Sequence, residues 1–152
     1  MISVEHIHVS FGDREVLRDC SLEIRPGETM VVIGASGTGK STLLRAIIGL
    51  TTPDRGRVVV DGRDVHMLPP KELARLRSGM GYLFQSGALI NWLNVEENVG
   101  LPLVESRTVP ASEARRRVQR ALNMVGLSGT GEMMTSQLSG GCASAPAWPA
   151  AS

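Results

Sequence analysis

The fold of this chain is decided by one stretch, Gly34-Ala35-Ser36-Gly37-Thr38-Gly39-Lys40-Ser41-Thr42. It fits the pattern G-x-x-x-x-G-K-[ST], in which glycines let successive backbone N–H groups turn inward around phosphate oxygens. The lysine of this pattern reaches the outer phosphates, and the hydroxyl that follows it can bind Mg²⁺. The stretch therefore predicts a phosphate-binding loop, with Lys40 on the phosphates and Ser41 on the metal ion.

The residues on either side of this phosphate loop (residues 34–42) provide the context that the pattern requires. Residues 29–33 are a continuous apolar run between turn signals, which predicts a fully buried parallel strand. From Gly39 onward, apolar residues recur at helical spacing. A glycine-rich turn that matches by chance is the alternative, and the flanking strand and helix favour nucleotide binding.

The other strands and helices are predicted from periodicity and turn residues. Alternation of apolar and polar residues predicts strands over residues 2–9 and 16–24, and apolar runs predict strands over 57–61 and 80–84. Helices are predicted in three places: over 71–77, after a capping box of Asn94 and Glu97, and after Ser112. Interleaved strands and helices predict an α/β protein.

Composition and charge exclude several classes of protein. The 152 residues fit one domain, and 16 basic residues against 15 acidic ones argue against a nucleic-acid binder with a general basic surface. No apolar run approaches the roughly 18 residues of a membrane span. Cys20 and Cys142 are too few for a disulfide framework, and His6, His8 and His66 do not suggest a metal site. These features predict a cytosolic protein.

Three features outside the phosphate loop indicate which class of phosphate-loop protein this chain resembles. Phe11 lies at the first turn, Gln85 ends a predicted strand, and Leu138-Ser139-Gly140-Gly141 lies further along the chain. In this order they resemble the ATP-binding subunit of an ABC transporter. They argue against the alternatives, a small kinase or a GTPase.

This resemblance implies a fold, ligands and partners. The fold is that of the P-loop NTPases of the ABC ATPase type, with an N-terminal antiparallel β part and a helical part. ATP and Mg²⁺ are the implied ligands: Phe11 stacks on adenine, Gln85 senses Mg²⁺ and the γ-phosphate, and residues 138–141 cap the γ-phosphate of ATP held by the opposite subunit of a dimer. The implied partners are that second ATP-binding subunit and a membrane subunit, at the cytoplasmic face of the plasma membrane.

The segment after Gly81 narrows the resemblance to one group of ABC transporter ATPases. Ser86-Gly87-Ala88-Leu89, followed by residues 94–103, looks like the ATPases that drive phospholipid transport between bacterial membranes, the Mla and Mce-associated systems. In that family this stretch contacts the membrane subunit. Amino-acid and lipoprotein transport ATPases share the general pattern of this segment and remain alternatives.

After Gly141 the chain lacks the groups that ATP hydrolysis requires. Hydrolysis needs a carboxylate for Mg²⁺ and a group that orients water, which in ABC ATPases are an Asp, an adjacent Glu and a later His. None of residues 142–152 is Asp, Glu or His. We therefore expect an incomplete nucleotide-binding domain over residues 1–141, truncated before its C-terminal strands, with no catalytic residue and no ATP hydrolysis alone. A non-catalytic fragment without a transport role is the alternative.

The tail, residues 142–152, differs from the rest of the chain because it carries no charged residue. We expect a frameshift near codon 142: with GC-rich codons, one restored A gives a frame beginning Met-Arg-Lys-Arg, like the basic continuation typical of the family. A disordered alanine-proline tail is the alternative. The DNA sequence across codons 139–150 decides between them.

Overall fold

The computed structural model describes residues 1–85, 87–106 and 109–138, and the chain divides into two compact units, Met1–Met80 and Gly81–Ser152. Among the residues singled out from the sequence, Ser86, Ser139, Gly140, Gly141 and the tail lie outside the described residues.

The first unit is built on a four-stranded antiparallel sheet in the order β2-β1-β3-β4. Its strands are β1 (Ile2–Phe11), β2 (Arg14–Ile24), β3 (Arg55–Val60) and β4 (Arg63–Asp64). The central strand β1 pairs with β2 on one side and with β3 on the other. The predicted antiparallel β part of a mixed α/β fold is therefore confirmed.

The core of the first unit lies between this sheet and helix α1 (Lys40–Ile47). On β1 the side chain of Val4 is buried, and an irregularity in the strand register between Val4 and Ile7 changes which alternate residues face inward, so that Ile7 and Val9 are buried as well. Helix α1 contributes Leu43, Ala46 and Ile47 to the same core. Because α1 begins at Lys40, this packing holds the end of the phosphate loop against the sheet.

Helix α2 (Pro70–Ser78) fixes the other end of α1. The Arg77 side chain donates from Nε to the carbonyl of Ile48 at 2.8 Å and from Nη2 to that of Gly49 at 2.7 Å. Burial lowers the pKa of His66, so its ring is neutral near pH 7, and its Nε2–H donates to the carbonyl of Ala46 at 3.0 Å. The Arg77 bonds satisfy carbonyl groups that the C-terminal end of a helix leaves without partners, and the His66 bond is a second one to Ala46, whose carbonyl also accepts from the Gly49 N–H.

The second unit is formed by helices α3 (Val95–Ser106) and α4 (Ala111–Met124), which share a small core of Val95, Val118 and Leu122. The predicted capping box is confirmed: the Asn94 N–H donates to Glu97 Oε2 at 2.9 Å, and the Glu97 N–H donates to Asn94 Oδ1 at 2.8 Å. Helix α4 begins before Ser112, with Pro110 as its N-cap. No helix in the described ranges is long and apolar enough to cross a bilayer.

Two predicted strands are wrong. Residues 29–33 and 80–84 contain no strand, and the side chains expected in a core at Val31 and Ile33 are 76% and 88% exposed. A parallel strand is stable only between neighbours that take up its N–H and C=O groups and cover its faces. None of the strands in the described residues pairs with residues 29–33, so their apolar composition does not make them a strand.

This exposure predicts an unusual tolerance at Ile33. We expect Ile33→Ala to change the free energy of unfolding by less than about 0.5 kcal/mol, because the side chain loses almost no contacts. The same change at Ile7, which is fully buried, serves as the control and costs about 2–5 kcal/mol. Urea unfolding of both variants measures the difference. A loss at Ile33 comparable with that at Ile7 would place residues 29–33 in a core after all.

Candidate nucleotide-binding site

The phosphate loop adopts its shape because two of its glycines are in the left-handed region. Gly37 has φ of 80° and Gly39 has φ of 92°, which side-chain-bearing residues rarely adopt. A Cβ on Gly39 would lie 2.7 Å from Leu17 Cδ2 and 3.0 Å from the carbonyl oxygen of Val16. The glycine therefore lets the loop pass directly against β2.

The ammonium group of Lys40 lies inside the curve of the loop. Its Nζ donates to the carbonyl oxygens of Gly34 at 2.8 Å and Ala35 at 2.6 Å. The Thr38 hydroxyl also donates to the carbonyl of Ala35, at 2.9 Å. All these acceptors are neutral, whereas a phosphate oxygen is charged and makes a stronger bond to an ammonium. Lys40 is thus positioned to exchange carbonyl contacts for phosphate contacts.

The N-terminus of α1 provides the second element of the site. Gly39 is its N-cap and makes no side-chain cap, and the first turn of the helix contains no acidic residue. The free N–H groups and the positive end of the helix dipole therefore favour an anion at this point. Ser41 lies in this first turn and is exposed, so its hydroxyl is accessible to a Mg²⁺ ion that accompanies phosphates. The donor set fits the predicted Mg²⁺-bound nucleotide.

Phe11 and Arg14 face each other at the end of the β1–β2 hairpin, in the same unit as the phosphate loop. Phe11 is 57% exposed, as a ring that stacks on a base must be, and its role as the adenine contact stays a prediction. The Arg14 side chain extends to the loop: its Nη2 lies 3.8 Å from the position a Cβ would take on Gly37. Neither Arg14 nor Arg77 is predicted from the sequence. The feature of the sequence that could have identified Arg14 is its position, as a basic residue directly after the turn that follows Phe11.

The remaining predicted contacts lie in the second unit. Gln85 is exposed and lies in a turn rather than at the end of a strand, and Leu138 packs against the core of Val95, Val118 and Leu122. The joint binding of one metal ion by Ser41 and Gln85 stays a prediction, as does the role of residues 138–141.

Comparison with known proteins decides the family. The family model described as ABC transporter matches residues 17–145. This chain belongs to the ABC transporter family. It is 38% identical to the intermembrane phospholipid transport system ATP-binding protein MlaF of Haemophilus influenzae over 94% of the chain and 54% of that protein. It is 48% identical to the methionine import ATP-binding protein MetN of Thermobifida fusca over 93% of the chain and 45% of that protein.

A solved structure supports the same fold. The dimeric ATP-binding cassette MJ0796, in a post-hydrolysis state bound to ADP and Pi, matches with a TM-score of 0.83 and 32% identity. The match covers 94% of this chain and 65% of that one. The chain thus has the ABC ATPase fold, and it spans about half the length of the curated relatives it matches.

Proposed function

We propose that this chain binds Mg-ATP through residues 34–42 and acts as part of the ATP-binding subunit of an ABC transporter. The observation that carries the proposal is the position of the Lys40 ammonium, 2.6 Å from the Ala35 carbonyl within a loop that ends at the N-terminus of α1. Lysine, helix end and glycine-shaped loop together form the electrostatic environment that polyphosphates require. Phe11 supplies the base contact in this proposal.

Phospholipid is our proposed substrate class for the whole transporter. The Ser86–Leu89 segment and the similarity to MlaF support it. Amino-acid transport is the second candidate, because the identity to a methionine import protein is 48%. Mass spectrometry of small molecules that copurify with the transporter separates the two: bound phospholipid supports the first, and bound methionine supports the second.

The proposed partners are a second ATP-binding subunit and a membrane subunit, at the inner face of the plasma membrane. The side chain of Trp92 is 80% exposed, and Leu83 and Val104 are also exposed. Each belongs to the second unit, and Leu83 and Trp92 lie in or beside the segments that resemble the membrane-contacting part of lipid-transport ATPases. Tryptophan is enriched among the residues that contribute most to protein–protein binding, which supports a contact at Trp92.

Binding without turnover is the expected behaviour of these 152 residues. The chain offers no carboxylate or histidine after Gly141 to hold Mg²⁺ through its water shell or to orient the attacking water. We expect isothermal titration calorimetry to detect Mg-ATP binding, and a phosphate-release assay to give the same rate with and without protein. Clear hydrolysis would contradict the absence of turnover, and an absence of binding would contradict the nucleotide site itself.

A further inference from the structure

We propose that Arg14 is a phosphate-binding residue of the nucleotide site, in addition to the phosphate loop. The inference rests on the proposed nucleotide binding and adds one residue and one interaction to it. The ligand class is the polyphosphate group of a nucleoside di- or triphosphate, and the interaction is a charged hydrogen bond from the guanidinium.

The position of Arg14 follows from the β1–β2 hairpin. Gly12 and Asp13 form the turn, so Arg14 begins β2 directly opposite Phe11. The hairpin therefore carries, on adjacent strands, a ring exposed for base stacking and a cation that extends to the loop. A nucleotide whose base stacks on Phe11 has its phosphates directed toward Arg14 only if the phosphate loop lies beside β2, the strand that carries Arg14.

The loop does lie beside that strand. Arg14 Nη2 is 3.8 Å from the Cβ position of Gly37, and two residues further along, Val16 Cγ1 is 3.0 Å from the Cβ position of Gly39. The side chains of Arg14 and Val16 therefore both lie beside the phosphate loop. Gly37 is the central glycine of the loop, where backbone N–H groups turn toward phosphate.

The charge on Arg14 is not neutralised within the part of the chain that the structure describes. Glu15, the next residue on β2, is paired with other groups: its Oε2 lies 2.7 Å from Arg18 Nε on the same strand, and its Oε1 lies 3.0 Å from His8 Nδ1 on β1. In the described residues no carboxylate lies within 4.0 Å of the Arg14 guanidinium. A planar guanidinium beside a loop that binds phosphate forms bidentate bonds with phosphate oxygens.

Substitution at Arg14 tests this role, with Arg18 on the same strand as the matched control. We expect Arg14→Ala to weaken binding of both Mg-ATP and Mg-ADP by about tenfold, the effect of one hydrogen bond to a charged group. Arg18→Ala stays within about twofold, because Arg18 is exposed and pairs with Glu15. Arg14→Lys restores part of the affinity, since it keeps the charge and loses the bidentate geometry.

Salt dependence separates phosphate binding from a purely structural role. If Arg14 contacts phosphate, affinity for Mg-ADP falls less steeply with added NaCl in Arg14→Ala than in the unchanged protein, while the midpoint of thermal unfolding stays the same. Arg14→Ala affinity within about twofold of the unchanged protein, or an equal salt slope, would overturn the inference and leave the proposed function intact. Failure of the unchanged protein to bind Mg-ADP overturns both.

Discussion

Replacement of Lys40 by alanine is expected to lower the affinity for Mg-ATP by about 10- to 150-fold, the range for one hydrogen bond to a charged group. Among the described residues, its ammonium contacts neutral oxygens alone, those of Gly34, Ala35 and Thr38. The ammonium and these oxygens are exposed and can form hydrogen bonds with water instead. The loss of the contacts therefore costs little folding free energy. The loss of affinity therefore exceeds any loss of stability. Calorimetric titration with Mg-ATP and urea unfolding measure the two quantities.

Lys71 provides the matched control, since Lys40 and Lys71 are the two lysines of the chain. Lys71 is exposed in the first turn of α2, and Lys71→Ala changes the net charge by the same amount. We expect its affinity for Mg-ATP to remain within about twofold of the unchanged protein, because exposed surface charges contribute little. Equal weakening in both variants would mean that net charge, and not the position of Lys40, governs binding.

The second large effect is expected at Gly39. Gly39→Ala should destabilise the chain by about 2–5 kcal/mol, because a residue with a Cβ in the left-handed region costs about 1–2 kcal/mol and overpacking costs about 1–3 kcal/mol more. The added methyl group would lie 2.7 Å from Leu17 Cδ2 and 3.0 Å from the Val16 carbonyl oxygen. Relief of this clash must move the loop away from β2, so nucleotide binding falls as well. Urea unfolding and titration with Mg-ADP measure both effects.

Substitution of Gly62 separates backbone strain from overpacking, the two causes of the destabilisation expected for Gly39→Ala. It has φ of 76°, and a Cβ built there meets nothing within 4 Å. Gly62→Ala therefore introduces backbone strain alone and should cost about 1–2 kcal/mol, with nucleotide binding unchanged. If Gly39→Ala and Gly62→Ala destabilise equally, the close packing of the loop on β2 contributes nothing.

Local sequence was sufficient wherever the interacting residues are near one another in the chain. The Asn94–Glu97 capping box is present because both hydrogen bonds join residues three apart. The phosphate loop was predictable for the same reason: Lys40, Gly34 and Ala35 lie within a few residues, and glycine alone tolerates φ of 92° at position 39. The family was predictable because short motifs occur in a fixed order.

Tertiary structure decided what depends on distant residues. The apolar run at 29–33 has the composition of a buried strand, yet strands form only against partners that accept their hydrogen bonds, and Ile33 is instead 88% exposed. Arg77 holds the carbonyls of Ile48 and Gly49 across a gap of 28 or more residues. Arg14 lies beside Gly37 because the hairpin and α1 pack on one core. The sequence by itself determined the phosphate loop, since its bonds are local; only packing determined which strand lies beside it and which cation reaches it.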